Sequence, residues 1–332
     1  MHKIQYSYKD IVLQPRYSEV LSRKQTNCQV DFLGGKFKSP AIPANMKCTI
    51  DFKLAEQLSE TGYFYILHRF YDYKKIYDWV KNNQHLKTIS ISIGVNKQDE
   101  FLINNIVAND LRVDYVTIDV AHGHHILVKN MIKFLRQNDV MPFVKIIAGN
   151  IGTAQAARDL HCWGADAVKA GLSMGKSCTT YNCTGVGTPM FSLIESIKNE
   201  QKQFTGHTGR DFDFPIIADG QVREVGDVCK ALVAGATMVM IGSEFAKCKD
   251  SPAEIGVTAN GRDYKTFYGS ASEVNKGHNE YVEGQSVLLE VSDETYLKYI
   301  ERINQGIQSC MSYAGVDDIK FLIYMDYSIK SL

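Results

Sequence analysis

What this chain lacks narrows its class before any motif is read. No apolar run reaches the ~18 residues needed to cross a bilayer, and Met1-His-Lys-Ile-Gln-Tyr6 has no secretory-leader pattern. No membrane partner is therefore expected, and the cytoplasm is the expected compartment. Neither sign of charge dominates: 37 Lys and Arg against 37 Asp and Glu leave a formal net charge of zero. A polyanion needs a basic surface, so no nucleic-acid partner is expected. The eight cysteines (Cys28, Cys48, Cys162, Cys178, Cys183, Cys229, Cys248 and Cys310) contain no C-x-x-C pair. Their scatter argues for a reducing compartment and against a disulfide scaffold or structural zinc. A Walker loop, a Gly-x-Gly-x-x-Gly after a strand and any low-complexity tract are also missing, which disfavours a Rossmann cofactor site.

What is present is an ordinary soluble composition, 45% apolar and 22% charged over 332 residues, enough for a sizeable core. From residue 41 a short apolar run is followed by a polar, helix-periodic segment, and the unit repeats. The runs are 41–46, 63–67, 88–94, 115–120, 143–148, 165–169, 215–218 and 237–241, and helical spacing recurs at 52–61, 74–83, 125–138, 153–162 and 224–234. β-Branched, nearly continuous strands suit a parallel sheet buried on both faces. Eight such units predict an α/β fold of the TIM (β/α)8 barrel type. The expected organisation is one catalytic domain over 1–332: an N-terminal arm (1–39), the barrel (40–250), a glycine-rich lid (251–290), and a C-terminal helix and tail (291–332), the helix at 293–313.

Barrel active sites gather at the C-terminal strand ends. Those ends carry Asn45, His68-Arg69, Gly94, Asp119, Gly149-Asn150, the Cys178 loop, Asp219-Gly220 and Gly242-Ser243. Gly171-Leu-Ser-Met-Gly-Lys-Ser-Cys-Thr-Thr-Tyr-Asn-Cys-Thr-Gly-Val-Gly187 is the most chemical of these stretches: backbone N–H groups for an anion, and a thiol for an electrophilic carbon. A free cysteine is often a small core residue, but Cys178 lies among the hydroxyls of Ser177, Thr179 and Thr180. Asp119 and Asp219 end apolar strands, where a carboxylate needs a partner; a ligand hydroxyl and a helix cap are the two readings. Gly220, Gly242 and Ser243, with Ser177, match the usual phosphate site of such barrels. His122-Gly-His-His125 reads as loop histidines, with no third metal ligand at a useful spacing.

These residues carry a family likeness. Gly175-Lys-Ser-Cys-Thr-Thr180 with Thr184-Gly-Val-Gly187 resembles the catalytic loop of the IMP dehydrogenase/GMP reductase family. The likeness continues through Pro43-Ala-Asn-Met46, Ile118-Asp-Val-Ala-His-Gly123, Ile147-Ala-Gly-Asn150, Ile217-Ala-Asp-Gly220 and Gly235-Ala-Thr-Met-Val-Met-Ile-Gly-Ser243. Tyr268-Gly-Ser-Ala-Ser-Glu273, Val282-Glu-Gly284 and Ser312-Tyr-Ala-Gly315 are similar to the reductase branch, in its Gram-positive form. The resemblance implies NADPH-dependent reductive deamination of GMP to IMP and ammonia, through a thioimidate on Cys178 and a proton relay of Thr180 and Glu283. It also implies nucleotide contacts at Ser177, Asp219, Gly220, Gly242, Ser243, Ser270 and Ser272. Cofactor contacts would come from Arg69, Asp119, Val120 and Ala121, and from Ser22, Arg23, Ser309 and Ser312 of a neighbouring subunit in a homotetramer. A monovalent cation, K+, would sit at Gly175. Family members that oxidise IMP with NAD, and a nucleotide-binding barrel without turnover, remain the alternatives.

Overall fold

The computed structural model describes residues 4–137, 141–172, 175–208, 214–257, 260–269, 272–273 and 283–330. The arm opens with β1 (Ile11–Leu13) and a hairpin of β2 (Val30–Phe32) and β3 (Gly35–Phe37). Seven parallel strands then form one sheet: β4 (Ala41–Pro43), β5 (Ser90–Ile93), β6 (Tyr115–Asp119), β7 (Lys145–Ile151), β8 (Ala167–Ala170), β9 (Ile216–Asp219) and β10 (Met238–Ile241), in the order β4-β10-β9-β8-β7-β6-β5. The fold is a TIM-type barrel, as the sequence predicts.

One expected strand forms no ladder. Residues 63–67 touch the sheet through a single parallel bridge, Leu67 to Ile91, while Lys38 N donates to Gly62 O on the other side. The stretch still alternates as a stave: Phe64 and Ile66 face the inner cluster, Tyr65 and Leu67 the outer one, all fully buried. It fills the gap between β4 and β5 by packing.

The period of two sets everything that follows. Val116, Ile118, Ile146, Ala148, Val168, Ala170, Ile216 and Ala218 face the helices. Tyr115, Ile147, Ala167 and Ile217 face the bore together with Ile42, Met238 and Met240. The β2–β3 hairpin plugs the N-terminal end of that bore, where the Phe64 ring lies 5.1 Å from Phe32 and 5.0 Å from both Phe37 and Tyr115. By the same parity Asp119, Lys169 and Asp219 point inward at the opposite end.

Helices follow the strands with conventional signals. α1 (Phe52–Thr61) starts on Asp51, whose carboxylate accepts from Leu54 N, and stops at Gly62 in the left-handed region. α2 (Tyr73–Asn82), α4 (Ile126–Arg136), α5 (Ala154–Trp163) and α8 (Val225–Ala234) lie within two residues of their expected bounds. α3 (Lys97–Ala108) was not apparent from spacing; its signal is the reciprocal cap between Asn96 and Asp99. A short α6 (Thr180–Thr184) lies inside the cysteine loop, α7 (Met190–Thr208) starts after Pro189, and α9 (Ser243–Lys247) follows β10. The last helix, α10 (Tyr296–Ala314), precedes β14 (Tyr327–Ile329), which pairs with β1.

The region expected as a lid contains a three-stranded antiparallel sheet of β11 (Ile255–Val257), β12 (Asp263–Tyr268) and β13 (Ser286–Glu290). Phe267, Tyr268 and Leu289 seat it on Cys48, Ala246 and Ala253. Its pin is Lys265, fully buried, whose ammonium donates to the carbonyls of Cys248, Lys249 and Ser251 and to the Ser251 hydroxyl, the last two at 3.0 and 2.6 Å. Lys265→Met would leave those acceptors buried without a donor. A loss of about 3 kcal/mol is expected in urea unfolding, and a change below about 1 kcal/mol would show the cage contributes little.

Candidate active site

Cys178 lies half-buried in the loop after β8. The chain returning from the β12–β13 excursion holds this loop by main-chain pairing: Thr179 N donates to Glu283 O at 2.9 Å, Gln285 N to Ser177 O at 2.8 Å, and Cys178 bridges Gly284 antiparallel. That pairing sets the side chains. The Cys178 thiol donates to Thr180 Oγ1 at 3.3 Å, and the Thr180 hydroxyl donates to Glu283 Oε2 at 2.7 Å. A nucleophile, a hydroxyl and a carboxylate thus form one hydrogen-bonded line, along which a proton can leave sulfur or return to a leaving group.

Below this line lies a buried ion cluster. The Lys169 ammonium, on a side chain only 5% exposed, sits 2.9 Å from Asp119 Oδ1 and 2.9 Å from Asp219 Oδ2, with Asn45 Oδ1 at 3.3 Å. Burial opposes its charge, yet the two carboxylates outweigh burial and raise its pKa above the ordinary lysine value. Asn150 Nδ2 also donates to Asp219, at 2.8 Å, and to Gly171 O at 2.9 Å. Gly171, at φ +146°, lies so close that a Cβ would collide with the Asp219 carbonyl; only glycine brings the cysteine loop against β9. Neither Asp119 nor Asp219 caps a helix, which removes that reading. Arg69 Nε lies 4.0 Å from Asp119 Oδ2, and the neighbouring His68 is held neutral, its pKa pushed down to about 3 by burial with Lys47 adding to the effect.

Several buried polar atoms here have no hydrogen-bond partner among the described residues: Asn45 Nδ2, Arg69 Nε, Thr117 Oγ1, Asn150 Oδ1 and Ser272 Oγ. Unmade hydrogen bonds at buried atoms are costly, and their convergence on one rim marks a place for a polar ligand.

The residues expected from the sequence fall into two groups. Cys178, Thr180 and Glu283 come together, as do Asp119 and Asp219. Ser177 is buried beside Gly269, and Phe267 two residues earlier packs on Gly242, so Ser177, Gly242 and Ser243 border one corner, with Gly220 directly after the neighbouring strand. Ser272 bridges Gly284; Ser270 lies outside the described residues. Val120 N donates to Gly149 O, and Ala121 is exposed at the same rim. The Gly175 carbonyl accepts from Cys178 N at 3.2 Å. Ser22, Arg23, Ser309 and Ser312 lie apart, on the arm and α10: Arg23 Nη1 donates to Ser309 Oγ at 3.1 Å, and among the described residues no hydrogen bond or ion pair joins this group to the rim.

Lys169 was missed because Asp166-Ala-Val-Lys-Ala170 reads as an apolar run. A lysine inside a strand buried on both faces was itself the signal, since its charge demands partners.

A parallel barrel whose rim carries a loop thiol, a hydroxyl–carboxylate line and an ion-paired polar floor has the architecture of an α/β-barrel enzyme. The comparison with known families is specific: residues 5–326 match the model described as the IMP dehydrogenase / GMP reductase domain. The chain belongs to the IMP dehydrogenase/GMP reductase family. It is 42% identical over 325 residues to a protein named GMP reductase from Mesoplasma florum, covering 98% of this chain and 97% of that one. It is 40% identical to a GMP reductase from Ligilactobacillus salivarius, over 98% and 96% of the two chains. A GMP reductase from Delftia acidovorans is 41% identical, over 98% and 95%.

Thiol reactivity should sort by environment. Burial pushes Cys28 up to about 12 and Cys48 to about 11, and burial with Asp250 and Glu294 pushes Cys248 to about 12. Their thiolate fraction at pH 7.5 is then roughly one in a thousand or less. Peptide mapping after a short iodoacetamide exposure should find label on Cys178 and the exposed Cys162 and Cys183, with Cys28, Cys48 and Cys248 unlabelled. Protection of Cys178 equal to that of Cys48 would contradict the rim placement.

Proposed function

We propose that this protein is a GMP reductase, an oxidoreductase that converts GMP, NADPH and two protons to IMP, ammonium and NADP+. The observation that carries this reading is the line from Cys178 through Thr180 to Glu283. The C2 of GMP bears an amino group on an electron-rich ring, so direct reduction is slow. Addition of the Cys178 sulfur to C2, with its proton passed to Thr180 and Glu283, makes a tetrahedral centre. Return of that proton along the same line lets ammonia depart and leaves a thioimidate on Cys178. After reduction at C2, the sulfur leaves and IMP is released.

Asp219 suits the ribose hydroxyls, and Ser177, Gly220, Gly242 and Ser243 suit the phosphate. Ser270 and Ser272 are assigned to the base. The cofactor fits beside Asp119, Val120 and Ala121, where Arg69 Nε is a buried donor without a hydrogen-bond partner among the described residues; when bound, it supplies the hydride that replaces the amino group. The separate group of Ser22, Arg23, Ser309 and Ser312 is assigned to the cofactor site of a neighbouring copy in a homotetramer, with Arg23 suited to the 2′-phosphate of NADPH. A monovalent cation at Gly175 and a cytoplasmic setting complete the reading.

The test is spectrophotometric. Addition of GMP to protein and NADPH should lower the reduced-cofactor absorbance, while IMP with NAD+ should give no change; the reverse pattern would assign the chain to the dehydrogenase branch. Cys178→Ala should abolish turnover, and Thr180→Ala should lower kcat by about 10²- to 10⁴-fold with nucleotide binding retained. Full turnover by Cys178→Ala would end the covalent reading.

A further inference from the structure

Lys169 lies at the meeting point of the two halves of the site. Asp219, assigned above to the nucleotide, and Asp119, assigned to the cofactor, have no hydrogen bond to one another. Each instead reaches the same ammonium at 2.9 Å. Other donors reach only one of the two acids: Asn150 serves Asp219 at 2.8 Å, and Arg69 Nε stands 4.0 Å from Asp119. The strand backbone keeps the ammonium in place, because Gly149 of β7 packs on Lys169 so tightly that a Cβ there would collide with the Lys169 carbonyl. We propose that Lys169 is a positioning residue of the reaction, its single ammonium holding Asp119 and Asp219 at one fixed spacing and so setting nucleotide and cofactor relative to each other. The assignment of the two carboxylates to those ligands rests on the proposed function; the ion cluster does not.

Removal of the ammonium leaves two carboxylates facing a common vacancy, where they repel one another and no shared donor holds their spacing.

Two experiments test this. The first needs no ligand: carboxyl ¹³C NMR spectra of the free Lys169→Met protein, which keeps the side chain's length and packing, with Asp119→Asn used for assignment. Both carboxyls should give single sharp signals in the parent and broadened or doubled signals in the variant, where their positions are no longer fixed; two single sharp signals in the variant would overturn the proposal. The second measures kcat and KM for GMP and NADPH in Lys169→Ala, with and without n-propylammonium, which replaces the deleted atoms. Both KM values should rise, kcat/KM should fall about 10²-fold, and the amine should restore activity saturably where tetramethylammonium does not. Constants within about twofold of the parent, a defect confined to one ligand, or a defect untouched by the amine would each sink the coupling. A parent protein without GMP-dependent turnover would instead be a failure of the proposed function, with the ligand-free spectra still deciding on Lys169.

Discussion

Taking a charge out of water into a barrel mouth is costly unless its partners are already in place. Lys169, Asp119 and Asp219 meet that condition only because three strand ends converge, each presenting an inward residue one step beyond the apolar part of the bore. No one of the three would be stable there alone. Together they make a polar floor whose spacing is set by main-chain geometry, with Asn45 and Asn150 taking part of the remaining hydrogen-bonding capacity. Asn45 Nδ2, Arg69 Nε and Asn150 Oδ1, without a hydrogen-bond partner among the described residues, lie around that floor, which is where a substrate's hydroxyls and amides have most to gain.

The line above the floor depends on a second constraint. The Cys178 thiol and the Glu283 carboxylate belong to segments far apart in the chain, and two main-chain hydrogen bonds between those segments create the line from sulfur to carboxylate. The excursion that supplies Glu283 is itself anchored at its base, through the carbonyls gathered on Lys265 and the apolar seat of Phe267 and Leu289. A stable attachment to the barrel therefore stands behind the carboxylate that ends the line, although it lies on a connecting segment.

Gln221 adopts φ +61° and turns its side chain to accept from Met190 N at 3.3 Å, at the start of α7. Its amide serves the frame of the cysteine loop.

Much of this was legible in the chain. Strands buried on both faces must be apolar over their whole length, so 115–120 and 237–241 announced themselves, and Cys178, Asp119 and Asp219 stood out because they interrupt such runs or follow them. Residues 63–67 looked the same yet form no ladder, since composition records burial and not hydrogen-bond partners. α3 was obscured by Asn104 and Asn105 within a weakly amphipathic run. The sequence by itself determined a parallel barrel, its family and the thiol loop, because period-two burial and local motifs are properties of neighbouring residues. Only the tertiary structure decided that main-chain pairing brings Glu283, expected from the family likeness alone, onto the thiol's line and that one lysine joins both acids, because those contacts are made across the barrel by residues whose separation along the chain carries no trace of their nearness in space.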